Sequence, residues 1–208
     1  MYTGIVQTLS EIKAIEVLPG LKRLAIAIDA AYLDNISIGA SIAVDGVCLT
    51  VTRFDLDQPI VSFDVMQQTL SLTQLDHLVV GDKVNVERSA GFNQEVGGHI
   101  LSGHIDGVAK VVEKITAPNN VRLRFEYPAA FDHYLFDKGF VALNGCSLTL
   151  ADVNKSDHQF DICYIPETLS KTNHGLLEVG DLVNLELDRQ TQTIVDTVER
   201  ILLQKQNN

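Results

Sequence analysis

Cysteine is scarce in this 208-residue chain, and its spacing excludes more than its number does. Cys48, Cys146 and Cys163 are an odd set without a CxxC pair, so neither a disulfide framework nor a zinc ribbon is expected, and a reducing cytoplasm is the natural compartment. Basic residues are outnumbered: 16 Lys and Arg face 27 Asp and Glu, and a net charge of −11 repels phosphate backbones, which excludes nucleic acid as an expected partner. Long apolar runs are missing too. No window approaches the ~18 apolar residues that span a bilayer. Met1-Tyr2-Thr3-Gly4-Ile5-Val6-Gln7 has no basic stretch leading into an apolar core, so the expectation is a chain neither exported nor embedded in a membrane. GxGxxG, Walker, nucleophile-elbow and HExxH patterns are absent, which leaves nucleotide-dependent chemistry without support. What remains is a globular composition, 46% hydrophobic and 21% charged, that excludes disorder and suits one large or two small domains.

The chain is written twice. Asp45-Gly46-Val47-Cys48-Leu49-Thr50 returns as Asn144-Gly145-Cys146-Ser147-Leu148-Thr149 at an offset of 99 residues. Thr69-Leu70-Ser71-Leu72-Thr73 returns as Thr168-Leu169-Ser170-Lys171-Thr172 in the same register, and Val80-Gly81-Asp82 through Glu87 as Val179-Gly180-Asp181 through Glu186. Thr3-Gly4 lands on Ser102-Gly103. A duplicated domain explains four blocks in one register without net insertion.

Each copy, about 95 residues long, reads as short strands between turn signals. Leu24–Ile28, Ser41–Val44, Leu49–Thr52 and Ile60–Val65 carry strand composition, as do the alternating Val84-Asn85-Val86 and Val183-Asn184-Leu185. Asp45-Gly46 and Asn144-Gly145 tolerate the positive φ of a type I′ turn, so a hairpin is expected at the same place in both copies. Closure of such strands removes exposed edges. The expected fold is therefore all-β: two tandem six-stranded antiparallel Greek-key barrels, over residues 1–97 and 98–188, with the Gly-rich segment 90–98 as the joint. From Thr191 the period becomes helical, with Ile194, Val198, Ile201 and Leu202 on one face, and residues 189–208 are read as an amphipathic helix. It caps its own barrel or contacts another subunit.

Differences between the copies mark candidate chemistry. Cys48 corresponds to Ser147, Ile5 to His104, and Ser89 to Asp188, while Thr50 and Thr149 are shared. Thr50 and Thr149 stand two residues beyond Cys48 and Ser147, so on a strand each pair shares a face; if that face lines a barrel mouth, its polar groups converge on one ligand. Cysteines of this kind are more often small buried hydrophobes than nucleophiles. His99 and His104 have opposite parity, which on a strand puts at most one in a pocket. That spacing argues against a two-histidine metal site, and no third ligand stands at a recognisable spacing.

Read together, Met1–Gln7, Gly46–Thr52, Val84–Arg88, Gly97–Ile105, Ser147–Thr149, Ile165–Leu169 and Ile194–Arg200 resemble the riboflavin synthase family, alpha-chain type, over essentially the whole chain. The resemblance implies two six-stranded barrels, a C-terminal helix that joins three chains into a homotrimer, and no cofactor or metal. It implies dismutation of two 6,7-dimethyl-8-ribityllumazine molecules, one ceding a four-carbon unit to the other. The products are riboflavin and 5-amino-6-ribitylamino-2,4(1H,3H)-pyrimidinedione. Each barrel would hold one lumazine, with the active site between the N-terminal barrel of one subunit and the C-terminal barrel of another.

Carried over by motif, Gly4, Ile5 and Val6, Cys48, Leu49 and Thr50, and Asp64, Val65, Met66, Gln67, Gln68 and Thr69 would line the first pocket. Gly103, His104 and Ile105, Ser147, Leu148 and Thr149, and Cys163, Tyr164, Ile165, Pro166, Glu167 and Thr168 would line the second, with Lys138 reaching a ligand on a neighbouring chain. The resemblance makes His104, Thr149 and Ser147 the candidates for proton handling. Cys48 and Ser41 are the candidates at the acceptor, beside a nucleophilic water, and Asp188 would orient a group across the interface. Tyr2 departs from the family's usual Phe and adds a hydroxyl near the substrate; Cys146 is expected to be neutral. The competing reading is a non-catalytic lumazine carrier of the same fold, which keeps one working pocket. A lumazine synthase shell is a further candidate partner.

Overall fold

The computed structural model describes residues 1–91, 93 and 95–206, so Phe92 and Gln94 of the expected joint lie outside the described residues, as do 207 and 208 of the expected helix. The first copy contains β1 (Thr8–Leu18), β2 (Leu21–Ala27), β3 (Ser41–Val44), β4 (Val47–Asp55), β5 (Ile60–Met66), α1 (Gln67–Leu72) and β6 (Lys83–Arg88). These strands close into an antiparallel barrel in the order β1-β2-β5-β4-β3-β6. Asp45 and Gly46 turn the β3–β4 hairpin at φ of 43° and 79°, and Asn144 and Gly145 repeat this at 43° and 76°, as the type I′ reading expects. The long β1, whose Glu and Lys residues interrupt its apolar positions, and the short α1 were not anticipated from pattern.

The second copy follows with β7 (Gly107–Ala117), β8 (Asn120–Glu126), β9 (Phe140–Leu143), β10 (Cys146–Thr149), β11 (Asp152–Asn154), β12 (Gln159–Tyr164), α2 (Pro166–Lys171) and β13 (Leu182–Leu187). It forms a curled seven-stranded sheet in the order β10-β9-β13-β7-β8-β12-β11. The extra strand arises because the counterpart of β4 is split at Leu150 and Ala151, where the first copy has only a bulge between Val51 and Arg53. The two ends of the curled sheet are thus consecutive in the chain. Leu150 N–H reaches Gly139 O and Ala151 N–H reaches Asp161 O, which carries the sheet around.

Each barrel is filled by its own apolar cluster, around Ile26, Val51, Phe63 and Val84 in the first and Val111, Phe125, Phe160 and Val183 in the second. Each such fully buried side chain contributes roughly 1.5–3 kcal/mol. Between the barrels lies a polar seam that obeys the repeat. Gln74 N–H donates to Asn184 Oδ1 and its counterpart Asn173 N–H donates to Asn85 Oδ1, both at 2.7 Å. Asn85 Nδ2 donates to Asn144 O and Asn184 Nδ2 to Asp45 O, at 2.9 and 2.8 Å. Buried amides paired this reciprocally fix one relative placement of the copies, since any slip leaves several unsatisfied.

The chain ends in α3 (Arg189–Gln206). Asp188 caps it, accepting from Gln190 N–H, Thr191 N–H and Thr191 Oγ1. The helix meets its own barrel through polar contacts, Tyr134 Oη to Asp196 at 2.6 Å and His133 to Glu199 at 3.1 Å. Ile194, Val198, Ile201, Leu202 and Leu203 stay exposed. No described helix is long and apolar enough to cross a membrane.

Candidate functional site

On β4 the side chains of Val47, Leu49 and Val51 point into the core, while Cys48 and Thr50 point outward. The shared face expected at a barrel mouth is therefore the outer wall, because the barrel interior is packed solid. On that wall Val47, Cys48, Gln68, Thr69, Leu72 and Thr73 surround a cavity of about 180 Å³, completed by Gly103, His104 and Ile105. The corresponding cavity of the second copy, about 520 Å³, is lined by Cys146, Ser147, Glu167, Thr168, Lys171 and Thr172, completed by Gly4, Ile5, Val6, Gln7 and Tyr32.

The leading segments are thus exchanged between the copies. Tyr2 and Leu101 form a reciprocal antiparallel bridge, which carries each segment across to the other barrel. Gly4 O then accepts from Ser147 N–H at 2.8 Å, and Gly103 O accepts from Cys48 N–H at 2.9 Å. Both glycines have left-handed φ, 75° and 80°, and a Cβ on either would lie within 2.6 Å of the facing Cβ. This corrects the grouping expected from the register, in which Gly4–Val6 served the Cys48 pocket and Gly103–Ile105 the Ser147 pocket.

One consequence concerns the proton-handling group. His104 lines the Cys48 cavity and not that of Ser147, and Thr149 lines neither. The imidazole behind Ser147 is that of His99, with Nδ1 2.6 Å from Oγ and the His99 backbone N–H directed at the same oxygen. His99 stacks on Phe140 at 5.2 Å, and burial holds its pKa below the ordinary value despite the attraction of Asp188. Ser147 Oγ accepts from the His99 amide and shares one proton with Nδ1, while Nε2 is buried without a hydrogen-bond partner among the described residues. The parity argument for residues 99 and 104 assumed a strand, whereas the segment carries only the bridge at Leu101; of the two histidines only His104 lines one of these cavities, and His99 is buried behind Ser147.

At the other cavity Tyr2 Oη donates to Cys48 Sγ at 3.0 Å. Burial, the contact with Cys48 and nearby Glu87 and Glu186 push the phenol well above its ordinary pKa, so it remains a donor. The extra hydroxyl relative to Phe is therefore absorbed by the thiol. Thr50 and Thr149 are exposed on the two outer walls; Ser41 stands opposite Thr50 on β3, and Phe140 holds that place opposite Thr149.

The remaining expected site residues divide by direction. Met66, Gln67 and Gln68 lead into α1, and Ile165, Pro166 and Glu167 into α2, all exposed beside their cavities. Leu49, Val65 and Tyr164 send their side chains into the cores, and Leu148 packs on the second core, so these four offer a ligand mainly backbone. Asp64 is held by Arg23 in a two-pronged contact at 2.7 and 3.1 Å, and its counterpart Cys163 is exposed. Lys138 is exposed at φ 65°, where the first copy has Gly39, and lines neither cavity. Asp188 serves as the α3 cap; burial pushes its pKa up, but the hydrogen bonds from Thr191 and Gln190 and the proximity of His99 bring it below the usual value. Cys146 is buried and its thiol is pushed up to about 12 by desolvation, which makes it inert. No group of three or more His, Cys, Asp or Glu able to hold a metal occurs among the described residues.

The family model described as the lumazine binding domain matches residues 3–89 and again 102–188. The chain is 42% identical to the riboflavin synthase of Escherichia coli (strain K12) over 208 residues, covering 100% of this chain and 96% of that protein. It is 38% identical to the riboflavin synthase of Chlamydia pneumoniae over 202 residues, covering 97% of each. Among solved structures, LumP complexed with riboflavin superposes with a TM-score of 0.83 at 30% identity, covering 91% of this chain and 100% of LumP. LumP complexed with 6,7-dimethyl-8-(1'-D-ribityl) lumazine gives 0.81 at 28% with the same coverage.

Proposed function

The chain belongs to the lumazine-binding domain family, among its riboflavin synthases, and from that premise we propose that it dismutates two 6,7-dimethyl-8-ribityllumazine molecules to riboflavin and 5-amino-6-ribitylamino-2,4(1H,3H)-pyrimidinedione. It is a transferase of a four-carbon unit. The observation that carries the reading is a pair of cavities with one build and unequal chemistry: a thiol beside a phenol at Cys48, and a hydroxyl beside a neutral imidazole at Ser147. Two identical heterocycles that must play different parts require such inequality.

The reaction needs a base for the acidic methyl at C7 of one lumazine and a nucleophile at C7 of the other. Ser147 backed by His99 supplies a proton-accepting relay in one cavity, with Thr149 on the same wall. Cys48, Ser41 or a water held there meets the second ring, with His104 as its proton partner. Aligning the rings can contribute ~7–11 kcal/mol, and acid–base help typically ~10²–10⁴ in rate.

In this reading residues 1–97 and 98–188 are the two lumazine-binding units and 189–208 the oligomerisation helix. The exposed apolar face of α3 joins three chains in the cytoplasm, which sets the Cys48 cavity of one subunit against the Ser147 cavity of the next, with Lys138 and Asp188 at that junction.

The likeness to LumP keeps one competitor, a carrier that binds without turnover. Incubating the purified protein with the lumazine alone separates them. One riboflavin per two lumazines consumed is expected; tight binding without product would move the chain to the carrier class.

A further inference from the structure

The exchanged segments must be held against their neighbours by something, and each is held by one buried carboxylate. Glu87, on β6 of the first barrel, accepts from Thr3 N–H at 2.6 Å, Thr3 Oγ1 at 2.8 Å and Gly4 N–H at 3.1 Å. Glu186, on β13 of the second, accepts from Ser102 N–H at 2.7 Å, Ser102 Oγ at 2.6 Å and Gly103 N–H at 3.1 Å. The two glutamates are 4% and 1% exposed, so no water shares this task cheaply. The residue each clamps is the glycine whose carbonyl then receives the N–H of Ser147 or Cys48. Three donors converge on each side chain, an arrangement only a carboxylate satisfies, since an amide would turn an N–H toward an N–H.

Resting on the reaction proposed above, we propose that Glu87 and Glu186 are positioning residues that act crosswise. Glu87, seated in the first barrel, sets the substrate wall of the Ser147 cavity, and Glu186, seated in the second, sets that of the Cys48 cavity. The chain of contacts in each case runs from carboxylate to glycine amide, through the left-handed glycine, to the amide of the reactive position. Neither carboxylate touches the cavity itself, and a role confined to holding its own barrel would leave the other barrel's cavity untouched.

Cys48 is a natural reporter, because it lines one cavity while Cys163 is exposed and serves as the internal control. The experiment follows iodoacetamide alkylation of each cysteine by peptide mass mapping in the wild type, Glu87→Gln and Glu186→Gln. Without ligand, Glu186→Gln is expected to speed alkylation of Cys48 by about tenfold, the scale of a lost charged hydrogen bond, with Cys163 unchanged. Glu87→Gln, which reaches Cys48 only through the Tyr2 phenol next to the segment it clamps, is expected to change the Cys48 rate by a clearly smaller factor. With 6,7-dimethyl-8-ribityllumazine added, the concentration that protects Cys48 should rise by about the same factor in Glu186→Gln alone. A mirror pair, Ser147→Cys in a Cys48→Ser background, should respond to Glu87→Gln and not to Glu186→Gln.

Equal responses of the two cavities to both variants, or none to Glu186→Gln, would overturn the crosswise assignment. Should Glu186→Gln fail to fold, Ser102→Ala removes one donor to the carboxylate, together with the acceptor of the His104 N–H, and must shift Cys48 in the same direction by a smaller factor. A crosswise pattern without ligand, together with no protection of wild-type Cys48 by the lumazine, would refute the proposed reaction and leave the clamps standing; protection without the pattern would refute the clamps alone.

Discussion

Gly46 and Gly145 touch at the tips of their hairpins. A Cβ on Gly46 would lie 2.7 Å from the amide nitrogen of Gly145, and one on Gly145 would lie 2.8 Å from that of Gly46. Both residues are also left-handed, at φ of 79° and 76°. The turn type alone calls for glycine, but the contact adds a second demand that no single hairpin would make.

That contact separates two costs. Gly20→Ala, at φ +78° with open space around it, should lose only the backbone term of about 1–2 kcal/mol. Gly46→Ala should lose this and the close packing of the two barrels, and so exceed it by about 1 kcal/mol or more. Urea unfolding of the two variants measures the difference, and equal losses would show that the tips do not press on one another.

His99 should reveal itself in the pH profile. Burial lowers its pKa below the ordinary 6.5, so the neutral, proton-accepting form persists into mild acid and the acid limb of kcat should fall below that value. Burial raises the carboxyls of Asp45, Glu87 and Glu186 as well, so the variant decides the assignment. His99→Gln should lose about 10²–10⁴ in kcat together with that limb. A loss confined to KM would assign His99 to packing.

Asp45 is fully buried between the barrels, and desolvation raises its carboxyl to about 7 in spite of donors from Asn85, Gln74 and Asn173. A raised carboxyl means that the folded chain binds the proton more tightly than the unfolded one. Its contribution is present in full below about pH 4 and is lost as pH rises through about 7. Asp45→Asn, which reproduces Asn144 of the other copy, should flatten this dependence once the Gln74 amide turns so that its Oε1 accepts from the new Nδ2, as Asn173 Oδ1 accepts from Asn144 Nδ2. The gain at pH 8 has an upper bound of about 4 kcal/mol, from 1.36 kcal/mol per unit. Unfolding free energies at pH 5 and pH 8 test the sign; a variant that is less stable at pH 8 would contradict it.

Removing the residues after Gln190 takes away the exposed apolar face of α3 while leaving both barrels and their seam intact. Light scattering should report dissociation to the single chain, with activity lost because the two cavities of different subunits no longer meet. An unchanged oligomer would assign α3 to its own barrel.

The repeat, the barrels and the two type I′ turns were legible because each depends on local chemistry. Asp45-Gly46 and Asn144-Gly145 carry their backbone angles wherever they stand, and the alternation in Val47 to Val51 assigns two faces before any partner is known. The unequal pair Cys48 and Ser147 was legible from the register as well. Less local features escaped it. Glu87 and Glu186 look like ordinary solvent positions on alternating strands, and only the donors folded over them explain their burial. His99 has no counterpart in the first copy, so the comparison of copies that exposed His104 could not reach it.

By itself the amino-acid sequence determined that the chain folds as two equivalent β units with two equivalent but chemically unequal walls, since a constant 99-residue offset and local turn propensities suffice for that. Only the tertiary structure decided which leading segment completes which cavity. The physical reason is symmetry: Gly4 and Gly103 are interchangeable in register, so the offset is the same whether each serves its own copy or the other. The choice is made by contacts that cross between copies, the Tyr2–Leu101 bridge, the amide seam and the two buried carboxylates, none of which has a signature in the order of residues.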